Sequence, residues 1–226
     1  MRLTPVPRPK LRTGELRQRV VDVAVATLVA EGVAGFTTRK VASGADTSLP
    51  AVYELFGDKA GLVRAVHAEG FRLLYERLGT ASTPGDPRAA LVTTVEALRD
   101  FVRRNPVLAE VMFSRPFADF DPGPEHVAAG AAVRELLVAR VRACVDAGVV
   151  AGDPTDVAHA LLALAQGLAA QETAGWLGTS AASRDRRWAL AVRALLSGLE
   201  PAGRAGGRRG PRTARPRTAA GRTARR

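Results

Sequence analysis

The sequence has a single cysteine, few aromatic residues and no apolar stretch long enough to cross a membrane. Cys144 has no second cysteine with which to form an intrachain disulfide or a cysteine-based zinc site. The longest apolar run, Leu161 to Ala170, is interrupted by Gln166 and is far shorter than a membrane span of about 20 residues. The basic first residues are followed by charged ones, so a signal-peptide core is lacking. We therefore expect a cytoplasmic protein that does not associate with membranes.

The sequence also lacks the common catalytic motifs. It contains neither a nucleophile elbow nor a phosphate-binding glycine loop. Its three histidines, His67, His126 and His159, fall on separate predicted helices without the spacing of metal ligands, although distant histidines can meet in a folded chain. We expect no enzymatic activity, no cofactor and no metal.

The residues that are abundant predict an all-α protein. Hydrophobic residues make up 46% of the chain and aromatic residues only 5%, which is typical of helices that pack closely through Ala, Val and Leu. The 226 residues can bury a sizeable core in one or two domains. Helical patterns alternate with loops and there is no strand pattern, so we predict an N-terminal three-helix module followed by a helical body.

The positive charge of the chain is concentrated at one end. Residues 201–226 contain nine arginines and no acidic residue, and without them the formal net charge of +11 falls to +2 on residues 1–200. We expect this Arg-rich segment, like the basic arm of residues 1–12, to be disordered, because it has too few apolar residues to offset the entropy of folding. It is either a sequence-independent DNA tether or an extension without a selected role.

The stretch from Thr37 to Leu62 predicts a helix, a short polar turn and a second helix. Asp46 and Thr47 tolerate turn geometry, Ser48 is a natural N-cap, and Pro50 falls in the first turn, where proline costs no helical hydrogen bond. Two helices joined in this way form the unit that places its second helix in the major groove of DNA. A packed helical hairpin without a DNA role is the alternative.

The details of this stretch resemble the N-terminal domain of TetR-family transcriptional regulators. The matching positions are Gly35, Phe36, Thr37, Thr38, Ala42, Ser48, Tyr53, Phe56 and Lys59. The resemblance implies a DNA-binding domain over residues 13–60 and a ligand-binding and dimerisation domain over residues 61–200. Asn105-Pro106 and Met112-Phe113 also resemble a subgroup with a Trp-His-Gly signature, of which Ala165-Gln166-Gly167 keeps only the glycine.

The resemblance also implies which residues contact double-stranded DNA. Thr37, Thr38 and Arg39 lie at a helix N-terminus that favours phosphate, and Tyr53 and Lys59 match the phosphate-binding positions of the family. Base contacts fall to the start of the recognition helix, at Thr47, Ser48, Leu49, Pro50 and Ala51. None of these five residues is Arg, Asn or Gln, so the strong bidentate contacts to guanine and adenine are missing. We expect Val41, Val52 and Phe56 to be core residues.

Two apolar stripes in the last two predicted helices suggest a homodimer. We predict an interface, as a four-helix arrangement, from Ala163, Gly167, Ala170, Ala174, Trp188, Val192, Leu195 and Leu199; the alternative is that these stripes face the chain's own core. Candidate pocket residues for an unknown small-molecule effector are Arg103, Met112, Phe113, Arg115, His159, Gln166 and Trp176.

The sequence as a whole predicts a repressor that binds a near-palindromic operator as a homodimer and is released from it by a small-molecule ligand. The alternative is an architectural protein whose Arg-rich segment coats DNA without sequence preference.

Overall fold

The computed structural model of this chain describes residues 13–81, 85–114, 121 and 123–201, without the side chains of 124–126. Across these residues there are nine helices and no strand, so the all-α prediction is confirmed. The helices are α1 (Thr13–Gly35), α2 (Thr38–Gly44), α3 (Leu49–Phe56), α4 (Lys59–Thr80), α5 (Pro87–Arg104), α6 (Pro106–Phe113), α7 (Gly123–Asp146), α8 (Pro154–Thr173) and α9 (Ala181–Gly198). The basic arm 1–12 and all but the first residue of the Arg-rich segment lie outside the described residues.

Capping side chains set the start of most helices. Ser48, Asp58 and Asp153 accept hydrogen bonds from backbone N–H groups in the first turns of α3, α4 and α8, so the predicted N-cap at Ser48 is confirmed. Thr37 and Asp86 do the same for α2 and α5. Because four N–H groups at each helix start have no partner within the helix, these caps fix the boundaries between helix and loop.

The sequence predicts Ser183 as the N-cap of the last helix, Gly32 as the end of the first helix and about Glu125 as the start of the seventh. The N-cap of α9 is Ser180 and not Ser183, because the two serines form a reciprocal capping box in which Ser183 is the third helical residue. Gly32 interrupts α1 with a non-helical φ of 69°, as expected for the end of a helix, and a short helical segment follows as far as Gly35. The helix α7 begins at Gly123, two residues before the predicted start.

The first three helices pack around a small core. Val20 and Leu28 of α1 are fully buried, as is Val41 of α2. The Arg17 guanidinium lies 4.6 Å from the centre of the Phe56 ring and donates a hydrogen bond of 3.1 Å to the Leu55 carbonyl. Through these contacts α1 braces the α2–α3 unit at its base.

The helix α4 joins this module to the helical body. It packs against α1 and α3 at one end and against α5, α6 and α7 further along. In the body, α7 contacts α4, α5 and α8, and α9 lies against α8. Leu74, Leu91 and Leu161 are fully buried between these helices and give the body a continuous apolar core. No helix in the described part of the chain has the length and apolar character of a bilayer span.

An ion-pair network ties α5, α8 and α9 together. Both carboxylate oxygens of Glu172, a nearly buried residue, accept hydrogen bonds of 2.7 and 2.9 Å from Arg99, which also contacts Asp185 at 2.8 Å. Arg103 and Arg184 approach the same carboxylate at 3.7 and 3.5 Å. Hydrogen bonding to Glu172 raises the pKa of Arg99, against the lowering effect of burial. Removing Glu172 would leave Arg99 buried without its main partner.

The described chain ends at the side of the body away from the first three helices. From Lys59, α4 rises along about 20 residues, so its last turn at Leu78 lies on the order of 30 Å away. Leu78 and Val95, near the middle of α5, line the same small internal cavity. The start of α5 is tied to Glu200, next to the last described residue, by an ion pair of 2.6 Å from Arg88.

Two adjacent residues of α1 provide a test of this packing. Leu28 is 0% exposed and Val29 is 50% exposed. We expect Leu28→Ala to lower the free energy of unfolding by about 2–4 kcal/mol, because it leaves a cavity in the core. The matched Val29→Ala should change it by less than about 0.5 kcal/mol. Urea denaturation measures both, and equal losses would contradict the placement of α1.

Candidate DNA-binding surface and ligand groove

A tight turn between α2 and α3 sets the angle between them. Asp46 adopts a φ of 53°, the left-handed conformation that the sequence predicts for this position. The Thr47 N–H donates to the Ala42 carbonyl at 3.0 Å and the Asp46 N–H donates to Ser43 at 3.2 Å. These bonds satisfy the carbonyls at the end of α2 and let Ser48 open α3 directly.

The helix α3 buries one side and presents the other to solvent. Val52 is fully buried and Phe56 is 9% exposed, so the prediction that they are core residues is confirmed. Ser48 and Pro50 are exposed, whereas Thr47, Leu49 and Ala51 are half-buried. The Ser48 hydroxyl accepts from the Ala51 N–H at 3.2 Å, so its oxygen is already engaged by the helix. The outer side of α3 is therefore small and weakly polar.

The predicted phosphate contacts divide into exposed and buried residues. Thr37, Arg39 and Lys59 are exposed, and Tyr53 is 42% exposed. Thr38 is only 6% exposed, so the prediction of a DNA contact through its side chain needs correction. The Lys59 ammonium lies 5.8 Å from the centre of the Phe36 ring, which is within the range of a cation–π contact.

Lys40, which the sequence argument did not consider, is also exposed on α2. Its ammonium pairs with the Glu31 carboxylate and donates to the Gly35 carbonyl at 3.3 Å. Lys40 thus holds the end of α1 against α2, and Arg39 points its charge into solvent instead.

An open groove lies in the body between the end of α5, the helix α6 and the second half of α8. Its volume is about 420 Å³, within the roughly 300–1,000 Å³ typical of small-molecule sites. Its walls are largely apolar, and Glu110 is the one charged side chain among the described residues that line it. The lining consists of Val102, Pro106, Val107, Ala109, Glu110, Phe113, Ser114, Gln166, Ala169, Ala170, Thr173 and Ala174.

The groove contains only two of the predicted pocket residues, Phe113 and Gln166. Arg115 lies outside the described residues, and the other four predicted residues do not line this groove. Met112 is buried against Gly70 of α4, and Arg103 approaches Glu172 instead of the groove. His159 is exposed with its ring hydrogen-bonded to the Thr155 carbonyl at 2.8 Å, and Trp176 is 78% exposed beyond the end of α8.

Sequence reasoning missed most of the groove because its two sides lie about 60 residues apart in the chain. One local signal was available. Pro106, Glu110 and Phe113 recur at helical spacing along α6 and share one side of it.

The two predicted dimer stripes differ in their surroundings. Ala163, Gly167, Ala170 and Ala174 are all exposed along α8. On α9, Trp188 is 2% and Val192 4% exposed, which corrects their prediction as interface residues: they pack into the chain's own core. Leu195 and Leu199 are half-buried, and the exposed apolar residue of α9 is Leu190, at 62%. The outward side of α9 therefore differs from the predicted one.

Comparisons with known proteins agree with this arrangement. A family model described as bacterial regulatory proteins of the tetR family matches residues 20–66, and one described as a tetracyclin repressor-like C-terminal domain matches residues 91–195. No curated protein sequence matches the chain significantly. The Trp-His-Gly subgroup stays a prediction.

Solved structures share the fold across most of the chain. A protein of unknown function from Rhodococcus sp. RHA1 is 26% identical, with 86% of this chain and 100% of that chain covered and a TM-score of 0.74. A tetR-family regulatory protein from Rhodococcus RHA1 is 22% identical, covering 83% and 98% with a TM-score of 0.61. A TetR variant from Acinetobacter baumannii AYE in complex with minocycline is 21% identical, covering 84% and 96% with a TM-score of 0.58.

The two family models account for the helix-turn-helix and for most of the body that carries the groove, and together they span more than half of the 226 residues. This chain belongs to the TetR family of DNA-binding, helix-turn-helix transcriptional regulators.

Proposed function

We propose that this protein is a transcriptional repressor that binds a near-palindromic operator as a homodimer and leaves it when a small molecule occupies the groove. The observation that carries the proposal is that α6 lines the groove and also packs on the DNA-binding module. One side of α6 contributes Pro106, Glu110 and Phe113 to the groove, and the helix contacts both α1 and α4.

At the DNA, the exposed cations near α2 and α3 would position the protein on phosphates. Arg39 and Lys59 place positive charge on this surface, and Thr37 and Tyr53 each provide a hydroxyl group. Base recognition would rest on apolar contacts between thymine methyl groups and the start of α3, at Leu49, Pro50 and Ala51, with Arg39 reaching a base edge. Because such contacts discriminate weakly, the spacing of two recognition helices would contribute much of the sequence specificity.

The exposed small residues of α8 support a dimer. Ala163 and Gly167 allow a second backbone to approach closely, and Leu190 on α9 adds an exposed apolar side chain. Ala170 and Ala174 belong both to this stripe and to the groove. A partner subunit seated on α8 would therefore border the groove.

A ligand in the groove would act through α6. Met112 and Leu108 on its buried side contact Gly70 of α4, so a displacement of α6 passes directly to the helix that follows the recognition helix. Typical coupling energies between two such sites are about 1–3 kcal/mol. The minocycline bound to the similar Acinetobacter TetR variant supports a small organic molecule as effector.

The alternative is an architectural protein in which the Arg-rich segment dominates DNA binding. This segment carries nine of the positive charges, while residues 1–200 carry a net charge of only +2. An architectural role of this kind would not need a helix-turn-helix, however, and the exposed Arg39 and Lys59 beside α2 and α3 favour recognition of an operator.

The first test compares two residues at the DNA surface, on an operator selected from a random DNA pool. We expect Arg39→Ala to weaken binding more than Leu49→Ala does, because the arginine supplies a charge-assisted contact that a single methyl contact does not match. An expected loss is about tenfold or more for Arg39→Ala. Footprinting and gel-shift titration measure the order, and the reverse order would sink the ranking. Arg142→Ala, an exposed arginine on α7, is the control for loss of one positive charge.

The second test concerns the dimer. We expect a dimeric mass at micromolar concentration by analytical ultracentrifugation, and a shift towards monomer for Ala163→Arg, which places a charge in the α8 stripe. Ala139→Arg on the exposed side of α7 is the matched control and should stay dimeric. A monomeric mass for the unaltered protein would contradict the proposed assembly.

The third test deletes residues 202–226. Specific operator binding should survive the deletion, while the affinity for random DNA and the steepness of its salt dependence should fall, since each phosphate contact contributes about 0.9 to the logarithmic salt slope. Loss of operator discrimination on deletion would instead support the architectural alternative.

A further inference from the structure

The groove has an electrostatic asymmetry that points to the kind of molecule it takes. Glu110 is exposed on the groove side of α6, and no described residue forms an ion pair with it. The remaining described lining offers only neutral polar groups, at Ser114, Gln166 and Thr173. The site is thus an apolar surface with one negative charge.

Among the described residues, the arginines of α5 that lie near the groove along the chain are held in ion pairs. Arg103 approaches the Glu172 carboxylate at 3.7 Å, and Arg104 lies 3.1 Å from Asp100 in an ion pair. Arg99 is held by Glu172 and Asp185 in the network behind α8. An anionic ligand would meet Glu110 with none of these cations free to offset the repulsion.

A neutral apolar ligand would also be disfavoured. When it covers Glu110, the carboxylate loses water without gaining a partner, and that loss opposes the gain from apolar contact with Val107 and Phe113. A protonated amine at the same place replaces the lost water with a charge-assisted hydrogen bond.

We propose that the groove binds an amphipathic organic cation, with its apolar body against α6 and α8 and its ammonium group paired with the Glu110 carboxylate. This inference rests on the proposed ligand-responsive function and adds the chemical class of the effector. The amide of Gln166 and the hydroxyl of Thr173 lie on the opposite wall, where they orient polar substituents.

The test uses three probes with the same apolar body: a naphthylbutylamine and the corresponding alcohol and carboxylic acid. We expect isothermal titration of the full chain at neutral pH and low salt to give the tightest binding for the amine, about tenfold tighter than the alcohol, with the acid weakest. Equal or tighter binding of the alcohol or the acid overturns the inference, as does the absence of binding by all three probes.

The matched variants assign the preference to one carboxylate. Glu110→Gln keeps the shape of the side chain and should remove the advantage of the amine while leaving the alcohol affinity nearly unchanged. Glu96→Gln, an exposed acid on α5 outside the groove, removes the same charge and should keep the amine preference. If Glu96→Gln lowers amine binding as much as Glu110→Gln does, the long-range field and not the groove carboxylate sets the preference, and the inference is wrong.

Operator binding separates this inference from the function on which it rests. If the alcohol releases the protein from the operator as well as the amine does, ligand-responsive repression stands and the cation preference fails. If the amine binds at Glu110 without changing operator affinity, the class of ligand stands and the repressor mechanism fails.

Discussion

The close approach of α6 to α4 at Gly70 is the contact on which the arrangement of the two parts depends. A Cβ atom at Gly70 would lie 2.7 Å from the Met112 sulfur and 3.1 Å from a Leu108 methyl, so a larger residue there would have to displace these side chains. This contact seats α6 next to α1 on one side and leaves its other side to the groove. A movement of α6 cannot be absorbed by empty space, because packed interiors have few voids.

The distribution of charge follows from which carboxylates are buried. Glu172 is nearly buried and draws three arginines from α5 and α9 towards itself, which stabilises the back of α8 and removes those cations from the groove. Glu110, one helix away, has no such partners and stays in solvent. The groove is therefore negative because the buried Glu172 binds the nearby arginines while the exposed Glu110 stays unpaired among the described residues.

How far the sequence determines this structure depends on the range of the interactions involved. Ser48, Asp58 and Asp153 could be assigned as caps, and Asp46 as the turn residue, because each of these roles depends only on neighbours within a few positions. The stripes of α8 and α9 could be found by periodicity, but periodicity does not say which side faces inward. On α9 the large side chains of Trp188 and Val192 fill the core, and the small residues of α8 are left outside. The groove depends on helices about 60 residues apart, and no local pattern brings them together.

The small, weakly polar surface of α3 limits how well this helix alone could distinguish DNA sequences. A recognition helix that starts with Ser48, Leu49, Pro50 and Ala51 cannot form the bidentate base contacts that make a single module selective. Selectivity would then require two modules at a fixed separation, since each adds its modest discrimination only when both are engaged. A regulator built in this way is sensitive to small changes of spacing, because a shift that misaligns one module loses the contribution of that module entirely. In the proposed function, weak base contacts and control through α6 would therefore go together, because the spacing of the two modules would supply the specificity that the α3 side chains lack.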